Sequence, residues 1–307
     1  MWVGNFGFSS VNCAEQPSHD SVSKFSPDGD PLSPSATGGS TGGFTQGGIS
    51  WPQGTVSDRQ DNIWVANCGN NTVTRYAGGN PDANLAIPLE IEKPFDIAFN
   101  GRGQVFVTGN GSSAVEMLNP DGTRAVPAPI TAGGINKPLG IAADIEGNMW
   151  VANSGFGDVP CPQGSPPPPR HTASITLISS NGTSPQARRF MGGGLTAPWG
   201  VAVDGHDNVW VTNFGGQRLS EFCGNRPANC PRGTRTGQPI SPNTGYGFDG
   251  LVRNTGVQID PSGNVWVANN WKTYPFTQRN PGGYQMVVFI GLAGPLRTPL
   301  IGPPRPL

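Results

Sequence analysis

Apolar residues in this chain fall in short, β-branched runs separated by stretches rich in Gly, Pro, Asn and Asp. One run recurs six times: MWVGN from Met1, IWVAN from Ile63, VFVTG from Val105, MWVAN from Met149, VWVTN from Val209 and VWVAN from Val265. A second strand-like run and a tight turn precede five of the six copies, most fully as PLGIAAD from Pro138 and PWGVAVD from Pro198; the others start at Gly54, Asp96 and Gly256. A third alternating run follows each copy, at residues 21–25, 72–76, 114–118, 173–178, 218–222 and 284–290. Runs this short, bounded by turn residues, predict strands rather than amphipathic helices. Units of three or four antiparallel strands repeating every ~40–60 residues predict the blades of a propeller.

The pattern P-W-G-V-A-V-D followed by a turn and N-V-W-V-T-N resembles that of NHL-repeat and streptogramin-lyase-like propellers, and the resemblance spans nearly the whole chain. It implies an all-β, six-bladed β-propeller of four-stranded antiparallel blades, forming one domain over residues 1–307. The first blade then begins at its second strand, and Gly291–Leu307 forms a Pro-rich tail. Fold does not dictate activity, so function has to be argued from particular residues.

The repeat separates scaffold from site. The turn between the first two strands is uniform: an Asp or Asn opens it at Asp58, Asn100, Asp144, Asp204 and Asp260. Such a side chain bonds its own backbone two residues on, so Asp204-Gly205-His206-Asp207 reads as a turn and not as a metal cluster. The recurring Trp predicts packing between blades, and the closing Asn predicts a tie between loops. The other face carries the length, with long segments at 6–20, 33–50, 154–172, 224–250 and 270–283, and function on a scaffold usually sits in such loops. The middle residue of each PxG-type entry should face the mouth there: Gln53, Phe95, Leu139, Trp199 and Thr255. This lining suits an organic ligand, with Trp271, Tyr274 and Arg279 as further candidates on the last long loop. The third unit breaks the pattern twice, with Asp96 in place of Gly and Gly109 in place of Asn.

The streptogramin-lyase resemblance would imply Mg²⁺-assisted elimination with a His base, and lactonase-like propellers use Ca²⁺ held by Glu, Asn and Asp. Of the three histidines, His206 lies in a uniform turn, which leaves His19 and His171 in long loops as catalytic candidates beside Asp96. Ca²⁺ or Mg²⁺ would fall to Asp96, Asn67 and Asn153. No GxSxG elbow or CxxC pair occurs, and the glycine-rich residues 38–48 form a loop and not a phosphate cradle.

Charge and cysteine content narrow the setting. Charged residues make up 13% of the chain and the net charge is −1, which excludes a phosphate-binding stripe and hence a nucleic-acid partner. No apolar run is long enough to insert in a membrane. The five cysteines predict an extracellular or periplasmic protein with Cys223–Cys230 bonded, Cys13–Cys68 as a second pair and Cys161 left over. The first functional expectation is a secreted propeller binding a small molecule, carbohydrate, polymer or protein on its loop-rich face. The alternatives are a metal-assisted lyase or hydrolase at the channel mouth, and a structural protein assembling through its first blade.

Overall fold

A computed structural model describes residues 1–5, 20–35, 42–155, 173–179, 187–248, 250–271 and 285–296. The strands there form six antiparallel sheets, each a meander in which chain neighbours pair. The first sheet holds β1 (Trp2–Asn5) and β2 (Ser21–Lys24). The second holds β3 (Pro52–Ser57), β4 (Ile63–Asn67), β5 (Thr72–Tyr76) and β6 (Asn84–Pro88), and the third β7 (Pro94–Phe99), β8 (Val105–Gly109) and β9 (Ala114–Leu118). The fourth holds β10 (Pro138–Ala143), β11 (Met149–Asn153), β12 (Ser174–Ile178) and β13 (Ala187–Phe190). The fifth holds β14 (Pro198–Val203), β15 (Val209–Asn213), β16 (Arg218–Phe222) and β17 (Tyr246–Gly247), and the sixth β18 (Arg253–Ile259), β19 (Val265–Trp271) and β20 (Gln285–Phe289).

The first strands stand side by side: β3 packs on β7, β7 on β10, β10 on β14 and β14 on β18, while β1 packs on β3. Each of these five strands carries a register shift just after its leading residues. The glycines there permit the close approach. A Cβ on Gly140 would lie 2.4 Å from the carbonyl oxygen of Trp199, and one on Gly200 the same distance from that of Thr255. The core lies between sheets, as when Trp64 and Phe99 meet edge to face at 6.0 Å. Trp64, Trp150 and Trp210 are buried, whereas Trp266 is half-exposed.

In three of the turns the opening Asp does more than close the turn, whereas the Trp150 indole N–H beside Asp144 is buried without a hydrogen-bond partner. Asp58 accepts the backbone N–H groups of Gln60 and Asn62, and its other oxygen accepts the indole N–H of Trp64 at 2.8 Å. Asp204 receives Trp210 and Asp260 receives Trp266 in the same way. In the third sheet Asn100 replaces the Asp and Phe106 replaces the Trp, so donor and acceptor are absent together. His206 donates its backbone N–H to Asp204, which confirms the structural reading of that turn.

Cys223 and Cys230 are disulfide-bonded on this turn face, so the start of the 224–250 segment lies here and not on the loop-rich face expected for it. Their loop reaches the fourth sheet, where Asn225 donates to Glu146 at 2.8 Å and Arg226 lies 3.5 Å from the same carboxylate. Beneath it Asp207, at φ +71° and 2% exposed, accepts the Ile145 N–H with one oxygen; the other is buried without a hydrogen-bond partner. Burial and then the Asp144 charge push the Asp207 carboxyl up to about 7. The expected Cys13–Cys68 bond is not formed. Cys68 is a free thiol buried against Phe95 and Leu139, and burial pushes it up to about 12. Cys13 and Cys161 lie outside the described residues.

Candidate functional site

The loop-bearing mouth is built from the lead-in to each first strand. Trp51, Lys93, Lys137 and Ala197 each precede the Pro of that strand, and all four adopt left-handed φ between +46° and +52°. Non-glycine residues in that region carry strain, and four copies at one level make it a property of the rim. The turn fixes the direction of the next side chain. Three of the five expected mouth residues come together: Phe95 and Leu139 are buried against Cys68, with Trp51 and Trp199 packed on them. Phe95 meets Trp199 edge to face at 5.6 Å, Trp199 tilts over Phe214 at 4.9 Å, and the Arg253 guanidinium lies 5.3 Å from the Phe214 ring.

Gln53 and Thr255 do not join this group. Gln53 keeps a buried amide nitrogen without a hydrogen-bond partner, and the Thr255 carbonyl accepts the Thr212 hydroxyl at 2.6 Å. Sequence reasoning missed Trp51, Phe214 and Arg253. The signal for Trp51 was available, because it precedes Pro52 as Lys93 precedes Pro94. Trp271 ends β19 opposite Arg253, with its side chain outside the description. His19, His171, Tyr274 and Arg279 also lie outside the described residues.

The two departures of the third unit have separate causes. Gly109 is needed because a Cβ there would lie 2.6 Å from Cβ of Ile91. The N–H that the closing Asn accepts elsewhere belongs here to Glu92 and is taken by the Ser112 hydroxyl at 2.6 Å, while the Glu116 carboxylate accepts the N–H groups of Glu90 at 2.8 Å and Ile91 at 3.2 Å just before it. Elsewhere the Asn serves that purpose: Asn67 accepts from Ser50 and Asn153 from Asn136, while both amides donate to hydroxyls of the third strand.

Asp96 is therefore not a substitute for the Asn. Its carboxylate spans two sheets, accepting the Ile97 N–H at 2.9 Å and the Ile141 N–H at 3.1 Å. It lines the central lumen, and burial pushes its carboxyl up to about 6 against those two bonds. No ion pair to it occurs among the described residues. A Ca²⁺ ion wants six or more oxygens and Mg²⁺ a near-octahedral set. Among the described residues no group of three or more His, Cys, Asp or Glu side chains is placed to hold a metal. The oxygens of Asn67 and Asn153 are committed to backbone N–H groups, and both residues are fully buried. These residues do not fit a divalent cation at Asp96.

Comparison with solved structures decides the architecture. A streptogramin B lyase superposes with a TM-score of 0.56 at 12% identity, over 87% of this chain and 73% of that one. The fold is a β-propeller. A putative 6-phosphogluconolactonase from Bacteroides uniformis gives the same TM-score at 12% identity, over 88% of this chain and 73% of that one. A gluconolactonase from Xanthomonas campestris gives 0.53 at 15% identity, over 80% and 74%. No known family profile matches the propeller's sequence, and no curated protein does. Likeness at this identity is likeness of fold, so the propeller's chemistry rests on its own residues.

Proposed function

We propose that this chain is a secreted, six-bladed β-propeller whose loop-bearing mouth binds an organic ligand with a flat apolar face, a carbohydrate or related polymer being the best match. The observation that carries this reading is the aromatic group at the mouth. Trp51 and Trp199 are half-exposed over a buried floor of Phe95, Leu139 and Phe214, held by lead-in turns that leave them little freedom. Rigid aromatic side chains contribute contact area at small entropic cost, which suits ligand capture. The six sheets supply the six blades, with the first lacking an innermost strand among the described residues. The Cys223–Cys230 bond supports an oxidising compartment, and no helix among the described residues is long and apolar enough to cross a membrane.

The lyase and lactonase neighbours bring forward an enzyme reading, but among the described residues no group of three or more His, Cys, Asp or Glu side chains gathers at Asp96. The test is a screen of soluble glycans and polysaccharides by tryptophan fluorescence, repeated on Trp199→Ala. Binding should shift the fluorescence and weaken about tenfold or more in the variant, in line with an aromatic anchor. A ligand held equally by both proteins, with the variant's circular dichroism unchanged, would refute the mouth as the site.

A further inference from the structure

The lumen is lined by residues other than those of the aromatic group. It encloses about 1020 Å³, and none of Gln53, Phe95, Leu139, Trp199 or Thr255 lines it. Its lining is mixed: Ile97, Phe99, Ile141, Val257 and Ile259 of the first strands are apolar, Thr55, Ser57 and Gln258 are polar, and it runs to Leu296 beyond the short-turn face. At the upper end stands Asp96. The other charged groups facing the space are Lys24, Asp61 and the amino terminus of Met1, all toward the short-turn end.

The chemistry of this space is asymmetric. A carboxylate has roughly four lone-pair sites, and the Ile97 and Ile141 N–H groups occupy two of them. Those bonds orient the group without neutralising its charge, and no cationic side chain pairs with it among the described residues. A metal ion would need several more oxygens, but an ammonium group needs only one or two strong acceptors and finds the rest in backbone carbonyls. Those are at hand, because β3, β7, β10, β14 and β18 are all edge strands of their sheets. The aliphatic part of the lining suits the remainder of such a molecule, and the volume is that of a small-ligand site.

We propose that the lumen is a second binding site, taking an elongated amphipathic amine whose ammonium group bonds Asp96 and whose apolar body lies along the first strands. This site shares no lining residue with the aromatic group at the mouth.

The experiment is calorimetric titration with n-octylammonium, n-octanol and n-octanoate, at one pH about a unit above neutrality, on wild type and Asp96→Asn. Octylammonium should bind about tenfold or more tightly than octanol, as a hydrogen bond to a charged group is worth about 1.5–3 kcal/mol, and octanoate should bind least. Asp96→Asn should abolish the preference for the ammonium while leaving octanol binding in place. Methyl NMR on wild type places the ligand without any variant: Ile97, Ile141 and Val257 should shift and Leu139 should not. Equal affinity for the three head groups, an ammonium preference retained in Asp96→Asn, or shifts confined to the mouth would each overturn the proposal. Loss of glycan binding at the mouth would leave it standing, so the two readings fail separately.

Discussion

Asp207→Asn should stabilise the protein in alkaline solution and do little in acid. The carboxyl has an ordinary value of 3.8 and is pushed up to about 7 in the fold, first by burial and then by Asp144. The folded state therefore holds the proton more tightly than the unfolded chain. Its contribution is intact below the unfolded value and is lost as the pH rises through about 7. Asp96 at about 6 and Glu221 at about 7 act in the same direction. A displacement of about three units corresponds to about 4 kcal/mol at most. Asparagine still buries an amide nitrogen where the unpartnered oxygen stood, so the expected gain is about 2–3 kcal/mol once the carboxylate is fully ionised. Asparagine keeps an oxygen for the Ile145 N–H, and it tolerates the φ of +71°. With an unfolding entropy of about 2.1 cal/mol/K per residue, the gain is about 3–5 °C in Tm. Scanning calorimetry of both proteins at about pH 8 and about pH 4 measures it. An equal gain at both pH values, or a loss in alkali, would show that Asp207 is not an unpaired buried charge.

Two further outcomes follow from the turns and their loop. Trp64→Phe removes the indole bond to Asp58 and should cost about 2 kcal/mol, and adding Asp58→Asn should recover part of it because the third sheet already runs on Asn100 and Phe106. Additive losses in the denaturant double-mutant cycle would count against the pairing. Replacing Cys223 and Cys230 together by Ser opens a loop of sequence separation 7, and the guanidinium midpoint should fall by an amount worth about 2–3 kcal/mol. An unchanged midpoint would mean that Asn225 and Arg226 hold the loop to Glu146 unaided.

The repeat made the inner three strands of each unit legible. The β4, β5, β9, β11 and β16 limits coincide with the runs read from the chain. Outer strands left no such mark: β6, β13 and β17 (NLAIP, ARRF and YG) are mostly exposed, so no periodic apolar face is imposed on them. At the site, Phe95, Leu139 and Trp199 were visible because the repeat aligns them. Phe214 and Arg253 were not, since neither stands at a position the repeat marks and their contacts, with Trp199 and with each other, form only in the fold. The pairing of Asp58 with Trp64 could have been seen in the simultaneous exchange to Asn100 and Phe106. Glu116 gave no sign of its role, which depends on a loop N–H more than twenty residues away.

The lumen wall is not mechanically uniform. At Gly140 and Gly200 neighbouring strands are in backbone contact, so those junctions are rigid stops. Between the third and fourth sheets the spacing is carried instead by the Asp96 carboxylate, acting as a tie to the Ile141 N–H. A tie of that kind has compliance where a steric stop has none. A molecule that competed for those oxygens would bear on the ring at that one junction and leave the stops at Gly140 and Gly200 unmoved.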